Sequence, residues 1–133
     1  MGFRFIYTGI RVKNMEESLK FYTEVLGMVI VEPLVRTVPT RGSVVTLKSP
    51  NSEQVLELNH YEQDSPFNLA YLNGEDLDHI AFDVTDLAAT VEKLRREGVE
   101  VVVEQYSIGV EVGWKEAYIK DPNGIWIELL QRR

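Results

Sequence analysis

The sequence predicts an α+β fold in which one β-α-β-β-β unit occurs twice, with the two copies in a pseudo-twofold arrangement. The runs Tyr7–Val12 and His79–Val84 share one strand pattern. The runs Val55–Leu58 and Trp126–Leu129 each place a glutamate between two apolar residues, and they follow the first runs at intervals that differ by one residue. Because self-similar units normally pack against one another, two copies favour a paired domain over a solenoid.

In the first half, Arg4–Lys13 alternates between two faces and predicts a strand. Asn14 and Glu17 form a capping-box pattern at the start of a helix, and Gly27 is suited to end it. Helical spacing predicts a buried stripe of four residues: Met15, Leu19, Tyr22 and Leu26. Three strands are expected after this helix, at Met28–Val31, Ser43–Lys48 and Gln54–Asn59.

Loops separate these strands and the two halves. Pro33–Gly42 holds two prolines, two arginines and a glycine, so it predicts a loop. Glu62–Glu75 is polar and contains Pro66 and Gly74, so it predicts the linker between the halves. The first module then covers about residues 4–61, the linker about 62–75 and the second module about 76–131 of a single domain.

The second half repeats the first. Leu77–Val84 predicts a strand, Asp86 caps a helix that ends at Gly98, and Asp121–Gly124 predicts the turn before the last strand, with Ser49–Ser52 as its counterpart. The expected inward residues of this helix are Leu87, Val91 and Leu94. The remaining expected strands are Val99–Val103, Gly113–Ile119 and Ile125–Leu130.

Composition limits the function. The chain has 133 residues, 44% hydrophobic and 26% charged, which is enough for one globular domain with a core. Its net charge of −7 argues against a nucleic-acid partner. The absence of cysteine excludes disulfides, thiolate metal sites and a cysteine nucleophile, and it fits a cytoplasmic protein. We expect no signal peptide and no membrane segment, because no apolar run has the required length.

Strand alternation selects a polar set on one face of each sheet. The apolar faces should pack against the helices, so the opposite faces should point into a space that the other half, or another chain, closes. Six residues are expected there: Tyr7, Arg11, Glu57, Asn59, His79 and Glu128.

Glu128 is the most informative of these residues, because the strand around it is apolar on both faces. A buried carboxylate needs a cationic partner or becomes neutral. The partner is a metal ion, or it is an arginine or lysine in a structural ion pair. The remaining alternative is that Glu128 lies at an edge position open to water. Since the repeat places Glu57 at the matching point of the first half, and His79 on the first strand of the second, two carboxylates and an imidazole would suit a divalent transition metal.

Three segments carry a resemblance to a known family: Phe21–Met28, Leu77–Phe82, and Asp121–Gly124 leading to Glu128. The chain resembles the glyoxalase, bleomycin-resistance and extradiol-dioxygenase superfamily along essentially its whole length. Within that superfamily it is most similar to glyoxalase I. The resemblance implies an open barrel-like sheet formed by two βαβββ modules, with one divalent metal inside (nickel, cobalt, manganese, zinc or iron).

The resemblance also implies site residues. Glu57, His79 and Glu128 match the second, third and fourth ligands of a His-Glu-His-Glu set. Tyr7 stands where the family has its first histidine, and three roles stay open for it: metal ligand, hydrogen-bond partner of metal-bound water, or pocket lining. Arg11 stands at a glutathione-contacting position, or is a structural arginine. Asn59 and Trp126 are the other candidate substrate contacts.

The predicted chemistry is proton transfer next to a metal-bound substrate oxygen by a lyase or isomerase, with Glu128 and Glu57 as the catalytic carboxylates. The chain has two histidines, and His60 is expected on the face opposite Glu57. A ring-cleaving dioxygenase, which needs two histidines and a carboxylate, is therefore not favoured. The alternative is a metal-free protein that binds a drug or toxin. A small-molecule substrate and a homodimer are expected in either case.

Overall fold

The computed structural model describes residues 2, 4–37, 40–70, 77, 79–108 and 114–132. The chain divides into two compact units, Met1–Tyr71 and Leu72–Arg133, and each is described by itself. The predicted linker overlaps this boundary, and residues 71–75 of the linker lie outside the described part of the chain.

The first unit is a four-stranded mixed sheet with one helical segment. Its strands are β1 (Thr8–Arg11), β2 (Val29–Thr37), β3 (Gly42–Lys48) and β4 (Val55–Tyr61). They lie in the order β1-β4-β3-β2, with β1 parallel to β4 and the other pairs antiparallel. The helix α1 (Met15–Lys20) continues directly as a π-helix over Phe21–Val25.

The second unit repeats this topology. Its strands are β5 (His79–Asp83), β6 (Val101–Ile108), β7 (Trp114–Lys120) and β8 (Trp126–Gln131), in the order β5-β8-β7-β6, and its helix is α2 (Leu87–Arg96). The strand β5 is parallel to β8, as β1 is to β4. The predicted α+β class with two βαβββ modules is therefore confirmed.

The predicted helix caps form. The Asn14 side chain accepts a hydrogen bond from the backbone N–H of Glu17 at 2.9 Å, and the Asp86 carboxylate accepts one from Ala89 at 3.0 Å. Gly27 and Gly98 close the two helical segments with φ of 70° and 81°, a left-handed conformation that glycine adopts without steric cost.

The π-helix accounts for the one-residue difference between the two halves. Asn14 follows Tyr7 at the same interval as Asp86 follows His79. The interval from Asn14 to Gly27, however, is one residue longer than its counterpart in the second half. A π-helical turn contains one more residue than an α-helical turn, so the extra residue is contained in the helix.

The buried side of the first helix differs in part from the predicted stripe. Of that stripe, Tyr22 is fully buried, whereas Met15, Leu19 and Leu26 are half-buried. Ser18 and Phe21 are buried as well. The strict helical period assumed from the sequence does not hold after Lys20, where the π-helical turn shifts the positions of the residues that follow. In the second helix, Leu87, Val91 and Leu94 are buried as predicted.

Three predicted strand boundaries were also wrong. The first strand begins at Thr8 rather than Arg4, because its parallel pairing with β4 starts at the Thr8–Leu56 pair. The predicted strand Val99–Val103 runs from Val101 to Ile108 as β6, because it pairs with β7 as far as Ile108 and Trp114. Residues 33–37 of the predicted loop Pro33–Gly42 belong to β2, which pairs with β3 through two register shifts around Glu32. Such bulges, on an edge strand, are the places in a sheet where a proline is tolerated.

The cores of both units follow strand alternation. In β4, Leu56 and Leu58 are buried while Glu57 is half-buried, and in β8 Ile127 and Leu129 are buried while Glu128 is half-buried. Each glutamate therefore lies on the less buried face of its sheet. No helix among the described residues is long and apolar enough to cross a membrane.

The turn before β8 is fixed by its aspartate. The Oδ1 atom of Asp121 accepts hydrogen bonds from the backbone N–H groups of Asn123 at 2.8 Å and Ile125 at 2.7 Å, and Oδ2 accepts one from the Asn123 side chain at 2.8 Å. Asp121 and Asn123 are both buried. This network sets where β8 begins, and thus the register that places Glu128.

Candidate functional site

The face of the second sheet that carries Glu128 is defined by strand register. Glu128 lies between Ala81 of β5 and Tyr118 of β7, and the neighbouring pair on β5 and β8 is His79 with Trp126. Residues two apart on a strand share a face. His79, Tyr118, Trp126 and Glu128 therefore belong to one surface, which we call the second-unit face.

His79 and Glu128 are in direct contact. The His79 Nε2 atom lies 3.1 Å from the Glu128 Oε2 atom, and the two side chains are 36% and 14% exposed. A half-exposed imidazole against a mostly enclosed carboxylate leaves the pair open to a small ligand. The sequence placed both residues on this face, and their roles as metal ligand and catalytic group stay predictions.

A second carboxyl, Glu116, lies beside Glu128 and was missed by the sequence analysis. Glu116 is 8% exposed and precedes Tyr118 by two residues on β7, which puts it on the same face. Burial raises the pKa of Glu128, and the hydrogen bond and negative charge of Glu116 raise it further, while His79 partly lowers it. Strand alternation in β7 places Glu116 on the face of Glu128 only when the pairing of Tyr118 with Glu128 is known, and the sequence alone does not give that pairing.

Aromatic rings cover the same face. Tyr118 meets His79 edge-on, with ring centres 5.8 Å apart at 82°, and it meets Trp126 at 5.7 Å with a tilt of 57°. Trp126 remains 38% exposed. An exposed tryptophan beside a polar pair provides an apolar wall for a bound small molecule.

The equivalent face of the first sheet has a different composition. Glu57 lies between Gly9 of β1 and Thr46 of β3. A Cβ atom built on Gly9 would lie 3.2 Å from the Asn59 amide nitrogen and 3.9 Å from both Glu57 Oε1 and the Tyr7 ring. The structure therefore brings Tyr7, Glu57 and Asn59 together around Gly9, and Tyr7 is 44% exposed.

Arg11 takes part in the structure of the first unit. Its guanidinium donates to the Leu69 carbonyl at 2.9 Å and to the Asn68 side chain at 2.5 Å, which ties β1 to the segment after β4. This contact is the structural role that the sequence left open, and a role in substrate binding stays a prediction. Arg11 also lines a cavity of about 380 Å³ whose other walls include Lys13, His60 and Asn68.

The predicted metal ligands come from both units. His79 and Glu128 are in contact in the second unit, and Glu57 and Tyr7 both lie beside Gly9 in the first. Across the described ranges, no three or more His, Asp or Glu side chains form a group able to hold a metal ion. The grouping of Glu57 with His79 and Glu128 at one metal therefore stays a prediction.

Comparisons with known proteins give the family. The family model of the Glyoxalase/Bleomycin resistance protein/Dioxygenase superfamily matches residues 4–129. A lactoylglutathione lyase of Neisseria meningitidis is 32% identical over 98% of this chain and 91% of its own length. The trypanothione-dependent glyoxalase I of Leishmania major is 31% identical, with a TM-score of 0.77 over 98% of this chain and 87% of that chain.

Proteins without a lyase name share the fold as well. An antibiotic binding protein from a Streptomyces species has a TM-score of 0.75 over 100% of this chain and 99% of that chain. At 20% identity this likeness shows the fold alone. With residues 4–129 matched by its model, the chain belongs to the glyoxalase, bleomycin resistance protein and dioxygenase superfamily, as its sequence segments indicated.

Proposed function

We propose that the chain is a metal-dependent, glyoxalase-like lyase or isomerase that moves a proton next to a substrate carbonyl group. The observation that supports this most is the Glu128 carboxyl, enclosed beside Glu116 and 3.1 Å from His79. A general acid or base works best when its pKa lies near the working pH, and the raised pKa of Glu128 moves it in that direction. The similarity to lactoylglutathione lyases supports the same class of reaction.

The donor types present suit a divalent metal. An imidazole and carboxylates are ligands of nickel, cobalt, zinc, manganese and iron in proteins. A cation held by His79 and Glu128 would also relieve the repulsion between the Glu128 and Glu116 carboxylates. The proposal adds Glu57 as the third donor to the ion and Tyr7 as the candidate for the fourth.

The bound ion would supply Lewis-acid stabilisation of negative charge on substrate oxygens. The residues of the chain perform the remaining tasks. Glu128 accepts the proton from carbon and returns it to the neighbouring position, with Glu57 as the second catalytic carboxylate. Trp126 encloses the apolar part of the substrate and excludes water, and Arg11 and Asn59 contact its polar part.

The substrate class follows from the relatives. The name lactoylglutathione lyase indicates a thiohemiacetal of glutathione, which this chemistry would convert into a thioester. Epimerisation of an acyl thioester needs the same proton transfer and is the second substrate to assay. We also expect a homodimer in the cytoplasm that acts on a small molecule and has no nucleic-acid partner.

A metal-free binding protein is the second candidate function. One observation favours it. A phenol, Tyr7, occupies the position of the predicted first histidine, and phenols are poor ligands at neutral pH. Against it, an apolar binding cavity has no use for three carboxyls, since each costs free energy to bury.

Metal content separates the two candidates. The protein is incubated with nickel, cobalt, manganese or zinc, desalted, and measured by plasma mass spectrometry. We expect roughly one equivalent per chain, as for a single site. The ion should be lost in Glu128→Gln and His79→Ala and kept in His60→Ala, which removes the other histidine of the chain. No retained metal under any condition would refute the metalloenzyme and favour the binding protein.

A further inference from the structure

Tyr118 holds a central place on the second-unit face. It lies directly opposite Glu128 in the pairing of β7 with β8, and its ring contacts both His79 and Trp126. The His79 imidazole is therefore bounded on one side by the Glu128 carboxylate and on another by the Tyr118 ring. These two contacts leave the imidazole little freedom to rotate about its side-chain bonds.

The first unit provides an internal comparison. The position opposite Glu57, equivalent to that of Tyr118, holds Thr46. Threonine has no ring and is too short to contact a side chain two strands away. The aromatic support thus occurs in the unit that carries His79, and Tyr7, the first-unit counterpart of His79, is 44% exposed.

We propose that Tyr118 is a positioning residue that fixes the orientation of the His79 imidazole, so that Nε2 faces Glu128. An edge-to-face ring pair stabilises its arrangement beyond the area that it buries, which favours one side-chain orientation by roughly two- to tenfold. The proposal assigns this contact to the ring of Tyr118 rather than to its hydroxyl group. The inference rests on the proposed function for its catalytic consequence, but the geometry it describes exists in the protein without metal or substrate.

Imidazole nitrogen NMR tests the proposal directly. The chain has two histidines, so a long-range ¹H–¹⁵N spectrum of the metal-free protein should contain two imidazole patterns, with His60 on β4 as the internal reference. Nitrogen shifts report the tautomer and the hydrogen bond of each ring. In Tyr118→Leu we expect the His79 nitrogens to move towards the averaged shifts of an unrestrained imidazole while those of His60 stay in place.

Matched variants identify the group responsible. Tyr118→Phe keeps the ring and should reproduce the wild-type His79 pattern. Tyr118→Met removes the ring and keeps similar reach, so it replaces Tyr118→Leu if that variant does not fold. An unchanged His79 pattern after ring removal would overturn the proposal, and so would a shift in Tyr118→Phe as large as in Tyr118→Leu.

Kinetics give a second readout on the proposed thiohemiacetal reaction. We expect ring removal to lower kcat about tenfold with little change in KM, since a misplaced catalytic group slows the chemical step more than it weakens binding. Tyr118→Phe should keep the wild-type kcat. A loss that falls on KM instead would assign Tyr118 to substrate binding and contradict a positioning role. Because the NMR experiment needs no turnover, its result is independent of whether the proposed function holds.

Discussion

The buried aspartate at the last turn should be a large single contributor to the stability of the second unit. Asp121 accepts hydrogen bonds from two backbone N–H groups and one side-chain amide, all between 2.7 and 2.8 Å. Asp121→Ala removes every one of these acceptors. The donors, from Asn123 and Ile125, remain in a region where both residues are buried.

The expected loss follows from these contacts. A buried donor left without a partner costs about 1–3 kcal/mol, and bonds to a charged acceptor lie at the upper end of the range. Some relief will come from water entering the space of the lost carboxylate. We therefore expect Asp121→Ala to lower the free energy of unfolding by about 3–5 kcal/mol, a large fraction of the 5–15 kcal/mol typical of a folded domain.

Urea unfolding measures this loss. Tryptophan fluorescence reports the second unit, because both tryptophans of the chain, Trp114 and Trp126, belong to it. Far-UV circular dichroism reports the whole chain, and coincident curves would justify a two-state treatment. A loss below about 1 kcal/mol in Asp121→Ala would refute the reasoning, because it would mean that the network is replaced by water without cost.

Two control variants separate the carboxylate from the turn itself. Asp121→Asn keeps an oxygen that can accept both backbone hydrogen bonds, so its loss should be near 1 kcal/mol. Ser49 occupies the equivalent turn of the first unit, where its backbone carbonyl accepts the hydrogen bond from Ser52. Ser49→Ala leaves that carbonyl in place and should change stability by less than about 0.5 kcal/mol.

Three further predictions concern other parts of the structure. A Cβ atom on Gly42 would lie 2.7 Å from the backbone oxygen of His60, so Gly42→Ala should lower the free energy of unfolding in urea by about 1–3 kcal/mol. Gly2 has open space around it, so Gly2→Ala should leave this free energy unchanged. Equal stabilities of the two variants would contradict the clash at Gly42. Asn14→Ala and Asp86→Ala should each cost about 0.5–2 kcal/mol by removing a helix cap, and losses confined to one of them would show that the two caps are not equivalent. Because the pKa of Glu128 is raised, the folded state binds the Glu128 proton more tightly than the unfolded state does. The free energy of unfolding should therefore fall as the pH rises from the ordinary pKa of glutamate through the raised pKa. Glu116→Gln should make this fall in stability smaller, because it removes the negative charge beside Glu128. If the urea midpoints of the wild type and Glu116→Gln depended on pH in the same way, Glu116 would not raise the pKa of Glu128.

The fold was largely predictable because its signals are local. Helix caps, closing glycines and strand alternation each depend on a few neighbouring residues, and Asn14, Asp86, Gly27 and Gly98 all behave as the sequence indicated. The extent of β2 was not predictable, since it depends on pairing with β3 through bulges around Glu32. The sequence analysis placed Pro33 in a loop, whereas Pro33 lies within β2, at the register shift between Glu32 and Val35.

The site was predictable in part for the same reason. Alternation placed His79 and Glu128 on one face, and the parallel pairing of β5 with β8 brings them into contact. The contribution of Glu116 and Tyr118 could not be found, because it depends on how β7 is aligned with β8 rather than on either strand alone. A shift of this alignment by one residue would turn both side chains to the other face of the sheet.

The π-helix of the first unit has a consequence for how the chain tolerates changes in length. The interval from Tyr7 to Glu57 is one residue longer than that from His79 to Glu128, and the extra residue lies between Asn14 and Gly27. Deletion of Thr23 should therefore convert the wide turn into an ordinary α-helical turn and leave Glu57 on its face of the sheet. The same deletion inside β4 would invert the side chains that follow it. The first helix thus accommodates a change of one residue in chain length without changing the face of β4 on which Glu57 lies.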